Sequence, residues 1–154
     1  PVIRDDLHGF APSASHTCAI NAANRVFCWG NNQWGQLGNG TQTRSVTPVR
    51  VNLRRIGSVV TGRYHSCALG FNQRASCWGN NSGGQLGDAT NTDRWEPVAV
   101  FGSTLRFLHL TAGNEHTCGL ATDNTVWCWG ENEYGQLGDG TFTDRRRAVQ
   151  VVFP

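Results

Sequence analysis

Apolar and polar positions alternate along this chain in short runs, and the runs recur with a period near fifty residues. Three segments carry the same order of residues: His16–Ile20, Cys28–Gly30 and Gly35–Gly38; His65–Leu69, Cys77–Gly79 and Gly84–Gly87; His116–Leu120, Cys128–Gly130 and Gly135–Gly138. Within each copy two cysteines stand ten residues apart. A turn signal lies between them, clearest at Asp123-Asn124, so the segment reads as a β-hairpin. Centring the turn sets Cys18 opposite Cys28, Cys67 opposite Cys77 and Cys118 opposite Cys128. Side chains alternate across a strand, so the other face pairs Ala19 with Phe27, Ala68 with Ser76 and Gly119 with Trp127. The second pair is small on both sides, which predicts thinner packing in that copy.

Both faces of the hairpin are apolar, one with cysteine and aliphatics, the other with Trp29, Trp78 or Trp129. A sheet wetted on one side would alternate polar and apolar, so each hairpin is expected to lie between neighbours. Upstream strands read Ser58–Gly62 and Phe107–Leu110. Downstream strands read Pro48–Val51, Pro97–Val100 and Ala148–Val152. Four strands per repeat predict an all-β chain of three four-stranded β-propeller blades. The units are 1–52, with a degenerate N-terminal part, then 53–103 and 104–154, in one continuous repeat domain.

The pattern Gly-x-x-His-[Ser/Thr]-Cys-Ala-Leu, followed by Trp-Gly-x-Asn-x-x-Gly-Gln-Leu-Gly-[Asp/Asn]-Gly-Thr, resembles the regulator of chromosome condensation repeat family. It covers nearly the whole chain in three phased copies, with residues 1–15 matching poorly. The resemblance implies seven-bladed propellers whose members mostly bind proteins: exchange on a small GTPase, chromatin binding, or secreted inhibition of β-lactamase. Three blades are a partial propeller, or one completed by oligomerisation.

Cysteine chemistry changes the picture next. The six cysteines could be disulfides, metal ligands or inert thiols. His16, Cys18 and Cys28 offer three zinc ligands with no fourth in view, whereas opposed strand positions suit disulfides. Three disulfides, Cys18–Cys28, Cys67–Cys77 and Cys118–Cys128, imply an oxidising, extracellular or cell-surface location. Typical intracellular members of the family lack this regular pairing. His16, His65 and His116 recur once per repeat, which argues for buried imidazoles bonded to turn backbone near the Gly-Gln-Leu-Gly loop rather than for catalysis. With no unrepeated set of acid, base and nucleophile, no enzyme is expected. The loops carry too few carboxylates for calcium, and no cofactor or metal is expected. The net charge of +2 argues against nucleic acid, and no apolar run is long enough to span a membrane. All 13 cationic side chains are arginine, which excludes lysine chemistry.

Candidate interaction residues are Trp34 and Tyr134 at equivalent loop positions, Trp95 as a second loop aromatic of the same kind, and Arg145, Arg146 and Arg147. Each aromatic either meets a partner or caps its own blade. The arginines either pair with an anionic partner or guard an edge strand, the second being favoured. Asn39 and Asn80 head glycosylation acceptor triplets. Three blades leave two apolar faces open. The chain is therefore expected to act by protein–protein association, through self-assembly into a ring or filament. Strand exchange by Pro1-Val2-Ile3 and Ala148–Phe153 would assist. The alternative is a binding or inhibitory module that presents its loop face to another protein.

Overall fold

The computed structural model describes residues 7–102 and 104–154, so the Pro1-Val2-Ile3 segment lies outside the described residues. Twelve strands form three antiparallel four-stranded sheets among them. The first holds β1 (Leu7–Pro12), β2 (His16–Asn21), β3 (Val26–Gly30) and β4 (Ser45–Arg50). The second holds β5 (Ile56–Thr61), β6 (His65–Gly70), β7 (Ala75–Gly79) and β8 (Arg94–Ala99). The third holds β9 (Phe107–Ala112), β10 (His116–Ala121), β11 (Val126–Gly130) and β12 (Arg145–Gln150). Strands follow chain order across every sheet. The first strands of successive sheets lie side by side, β5 against β1 and β9 against β5, and mark the axial rim. The last strands form the outer rim.

Each central hairpin has the expected register: Cys18 opposite Cys28, Cys67 opposite Cys77, Cys118 opposite Cys128. All three pairs are disulfide-bonded. The outer strands begin three residues earlier than the apolar pattern suggested. A register shift sets Ser45, Arg94 and Arg145 opposite Gly30, Gly79 and Gly130. Pro48 and Pro97 fit there because an edge strand need not use every N–H. Residues before His16, which match the repeat poorly, still supply a full strand. Ser13 stands where Gly62 and Gly113 do, and its N–H reaches the His16 carbonyl at 2.9 Å as theirs reach His65 and His116.

The core lies between the sheets. One cluster joins Ile20, Val26 and Leu37 of the first blade to Ile56, Val59, Ala68 and Trp78 of the second. The other joins Leu69, Ala75 and Leu86 to Phe107, Leu110 and Trp129 of the third. The second hairpin, expected to pack thinly at Ala68 and Ser76, is flanked on both sides. His65–Leu69 of β6 are all buried. Burial is set by neighbours more than by side-chain size.

Candidate interaction surfaces at the blade joints

Each joint is made from the same parts. The Gly35–Gly38 loop of the first blade turns with Gly38 at a φ of 68°. A Cβ there would sit 2.6 Å from the Trp78 indole nitrogen, so glycine lets the loop lie flat on that ring. The Gln36 carbonyl accepts the Trp78 indole N–H at 2.9 Å and the Ser66 hydroxyl at 3.0 Å. His16 Nε2 lies 2.7 Å from the same hydroxyl. Because the Ser66 proton is committed to Gln36, His16 donates from Nε2 and is the neutral Nε2–H tautomer. The Ser13 hydroxyl lies 3.1 Å from the other ring nitrogen.

The second joint repeats this. His65 Nε2 lies 2.9 Å from the Thr117 hydroxyl, which donates to the Gln85 carbonyl at 3.0 Å. Trp129 lies under Gly87, but its indole N–H finds no acceptor among the described residues. His65 Nδ1 is likewise buried and unpartnered. The histidines were expected to bond turn backbone. His16 and His65 reach it instead through a hydroxyl of the following blade, about fifty residues away, which no local reading could supply. Burial pulls the His16 pKa down to about 4. Burial, reinforced by His16 and His116, pulls His65 down to about 3.

The loops are organised around one buried asparagine each, Asn32, Asn81 and Asn132. The Asn32 amide donates to the Thr41 and Thr43 carbonyls at 2.9 and 3.0 Å, while its oxygen accepts the Leu37 N–H at 2.9 Å. Asn39 accepts the Thr41 hydroxyl inside this loop, and Asn80 accepts that of Ser82. Among the described residues no group of three or more His, Cys, Asp or Glu is placed to hold a metal ion.

Trp34 is half-buried with its ring 6.5 Å from that of Tyr64 in the next blade. Between them opens a cavity of about 340 Å³ that Asp93 and Glu115 also line. Trp95 is not in a loop, as its place in the sequence suggested, but in β8, where its carbonyl accepts the Gly40 N–H at 2.9 Å. Arg145, Arg146 and Arg147 all belong to edge strand β12. Arg145 pairs with Asp139 at 2.7 Å, as Arg94 pairs with Asp88 at 2.8 Å. The Arg146 carbonyl accepts the Ala89 N–H at 2.8 Å, and the Arg147 guanidinium lies 4.0 Å from the centre of the Phe101 ring. Trp95, Arg146 and Arg147 are nonetheless exposed, and Tyr134 is 79% exposed.

The end faces carry the same residues as the joints in less buried settings. On the first blade, Thr17 occupies the place of Ser66 and Thr117, yet its hydroxyl makes no hydrogen bond among the described residues. Trp29, equivalent to the fully buried Trp78 and Trp129, is only half-buried. Val46, equivalent to Trp95, is 94% exposed. On the third blade, His116 meets no hydroxyl among the described residues, and Cys118, Leu120 and Val126 are only partly buried. Their first-blade counterparts Cys18, Ile20 and Val26 are fully buried.

The model of the regulator of chromosome condensation (RCC1) repeat matches residues 23–69, 77–120 and 123–153. The chain belongs to this repeat family. It is 32% identical over 148 residues to the Ultraviolet-B receptor UVR8 of Arabidopsis thaliana, covering 94% of this chain and 34% of that protein. Its fold is similar to that of Prp20p from Saccharomyces cerevisiae, with a TM-score of 0.85 at 21% identity over 96% of this chain and 38% of that one. That structure is described together with its binding to Gsp1p and histones. A more distant likeness is to the ectodomain of the receptor kinase CR4 from Physcomitrella patens. There the TM-score is 0.56 at 26% identity, over 86% of this chain and 32% of that one. The chain thus spans about a third of the length of each of these relatives.

Proposed function

We propose that this protein is a non-enzymatic module of an oxidising, extracellular compartment that acts by protein–protein association, assembling through its open blade faces into a ring or filament. The carrying observation is that both end faces are unfinished versions of joints that the chain completes twice. An apolar surface that is buried wherever a neighbour exists has a drive of about 25 cal/mol per Å² to be buried again. The three disulfides and the likeness to a receptor ectodomain support the compartment, since such bonds persist where thiols are not kept reduced. Light scattering of the non-reduced chain across a concentration series, with electron microscopy of the same sample, tests the reading. Species of two or more chains are expected; a single-chain particle at every concentration would overturn it.

The cavity between Trp34 and Tyr64 favours a second reading, in which the loop face engages another protein. Aromatic rings beside the carboxylates of Asp93 and Glu115 suit an arginine or lysine side chain. Under that reading Trp34→Ala abolishes capture of a partner while the assembly state stays unchanged.

A further inference from the structure

We infer that the hairpin-turn face of the second blade binds an acidic peptide, an extended segment whose carboxylates pair with Arg54, Arg55 and Arg74. Its apolar side chains enter the two cavities beside those arginines. This goes beyond the assembly proposed above and does not depend on it. The second blade is flanked on both sides within the chain, so this surface is independent of the end faces.

Charge is sorted between the two ends of the blades, which the net charge of +2 conceals. Among the described residues every Asp and Glu except Asp123 lies at or beside the loop end, Glu96 of β8 standing against the Gly40 loop. The opposite end gathers arginine. Arg54 and Arg55 stand in the linker between β4 and β5, Arg74 in the β6–β7 turn and Arg106 in the linker before β9. Arg54, Arg55 and Arg74 are exposed. None of the three forms an ion pair; the ion pairs among the described residues are those of Arg94 with Asp88 and Arg145 with Asp139.

The β6–β7 hairpin stands between the two linkers with a cavity on each side. One, of about 420 Å³, is lined by Leu53, Arg54, Arg55, Phe71 and Arg74. The other, of about 600 Å³, is lined by Arg74, Val100, Phe101, Leu105 and Arg106. Arg74 is a wall of both, and no Asp or Glu lines either. Backbone bonds fix this frame: the Phe71 N–H donates to the Arg55 carbonyl at 3.0 Å, and the Phe107 N–H to the Gln73 carbonyl at 2.8 Å. Arg55 is held at a φ of 59°, a region an arginine rarely enters and one that recurs at ligand-binding surfaces. Phe71 and Phe101 are 57% and 50% exposed, and the Arg147 guanidinium rests on the Phe101 ring.

These features select the ligand. Forked guanidinium donors match carboxylates. Half-exposed phenyl rings and aliphatic walls gain by covering apolar side chains, which a chain of carboxylates alone does not supply. A sugar polyanion would lay its hydroxyls against those apolar walls and leave them unbonded. A bilayer surface is flat and meets the rims but not the cavities. A peptide that mixes acidic and apolar residues satisfies both the arginines and the walls.

The test is fluorescence anisotropy of a labelled peptide, Glu-Glu-Phe-Glu-Glu-Leu-Glu-Glu, against the whole, non-reduced chain. Saturable binding is expected, and Arg74→Gln should weaken it at least about tenfold. Arg54→Gln should do the same, and its side chain makes no hydrogen bond whose loss could disturb the fold. Arg44→Gln, at the loop end, removes an equal charge and is expected to change affinity less than about twofold. A peptide of glutamates alone should bind at least about tenfold more weakly, for want of apolar side chains. Equal weakening by Arg44→Gln, or equal binding of the all-glutamate peptide, would reduce the effect to general attraction and overturn the site. Capture by phosphatidylserine vesicles or by heparin, lost in Arg74→Gln while the peptide goes unbound, would give this face to a membrane or a sugar polyanion and overturn it as well. Arg74→Gln should sediment like the unmodified chain, so a failure here leaves the assembly standing. A single-chain particle at every concentration, in turn, leaves this site standing.

Discussion

The joint between the first two blades and the free end of the first blade contain the same residues in different company. Trp78 and Trp29 each sit in a Cys-Trp-Gly strand end, opposite Ser66 and Thr17 respectively. One indole is fully buried beneath a glycine loop with its N–H bonded, and the other is half in water. At the opposite end, His16 and His65 are bonded to the next blade while His116 is not. Burial and hydrogen bonding here belong to the junction and not to the repeat. A blade of this type is half of two interfaces, and its stability is a sum over neighbours.

The largest break in that symmetry comes from the two tryptophans. Trp78→Ala removes a wholly buried ring and its hydrogen bond, and is expected to destabilise the chain by about 3–5 kcal/mol. Trp29→Ala, at the free face, is expected to lose only about 1–2 kcal/mol, because water already reaches that ring. Urea unfolding of single-chain material without reductant separates them. Equal losses would mean that the joint adds nothing to what the blade itself provides.

Acid is the next lever. His16 and His65 have folded pKa values depressed to about 4 and about 3, against an unfolded value near 6.5. The unfolded chain therefore binds more protons as pH falls below 6.5. Stability is full above that value, declines as pH falls through the window, and loses nothing further from these groups below about pH 3. The loss from His16 alone is on the order of 3 kcal/mol. Measured between pH 6.5 and 5, above the range where carboxylates titrate, the slope of unfolding free energy should flatten in His16→Gln. His116, half-solvated and also depressed by burial, contributes less. An unchanged slope in His16→Gln would place the acid sensitivity elsewhere.

The sequence made the hairpins legible and the junctions opaque, for a physical reason. Cys118 opposite Cys128 and Leu120 opposite Val126 follow from a local turn and a period of two. The partner of His16 is Ser66, fifty residues on, and its existence depends on how two sheets stack. The outer strands were read too short because Ser45, Arg94 and Arg145 carry no apolar signal. They pair through a register shift across an exposed edge. The first strand was obscured because Ser13 replaces the usual glycine while making the same backbone bond. Trp95 looked like a loop aromatic for a partner, and its backbone proved to be part of a joint. Tyr134 is 79% exposed, whereas its counterpart Trp34 lies against Tyr64 of the following blade.

A finer contrast lies in the hydroxyls. Ser66→Ala strips the Gln36 carbonyl of one donor and leaves His16 Nε2–H facing a methyl group, at about 1–3 kcal/mol. Thr17→Ala, at the open face, is expected within about 0.5 kcal/mol of the unmodified chain. Urea unfolding of the two variants compares them, and equal losses would show that the Ser66 hydroxyl adds nothing to the joint.

The smallest expected effect isolates the backbone from the packing. Gly40, Ala89 and Gly140 occupy one loop position, with φ values of 80°, 71° and 79°. An L-residue in that region is strained by about 1–2 kcal/mol, so the second blade carries a strain the others avoid. Ala89→Gly relieves it but widens the unfolded ensemble by about 0.4–1 kcal/mol, giving a net gain near 0.5 kcal/mol. Gly140→Ala is the reciprocal change with no neighbour to strike, and is expected to lose about the same amount. Ala89 sits in a made joint and Gly140 at a free end, so matching magnitudes of opposite sign assign the effect to the dihedral angle alone. Should Ala89→Gly destabilise the chain instead, the Ala89 methyl group would be contributing to the second joint, and the strain would be the lesser term.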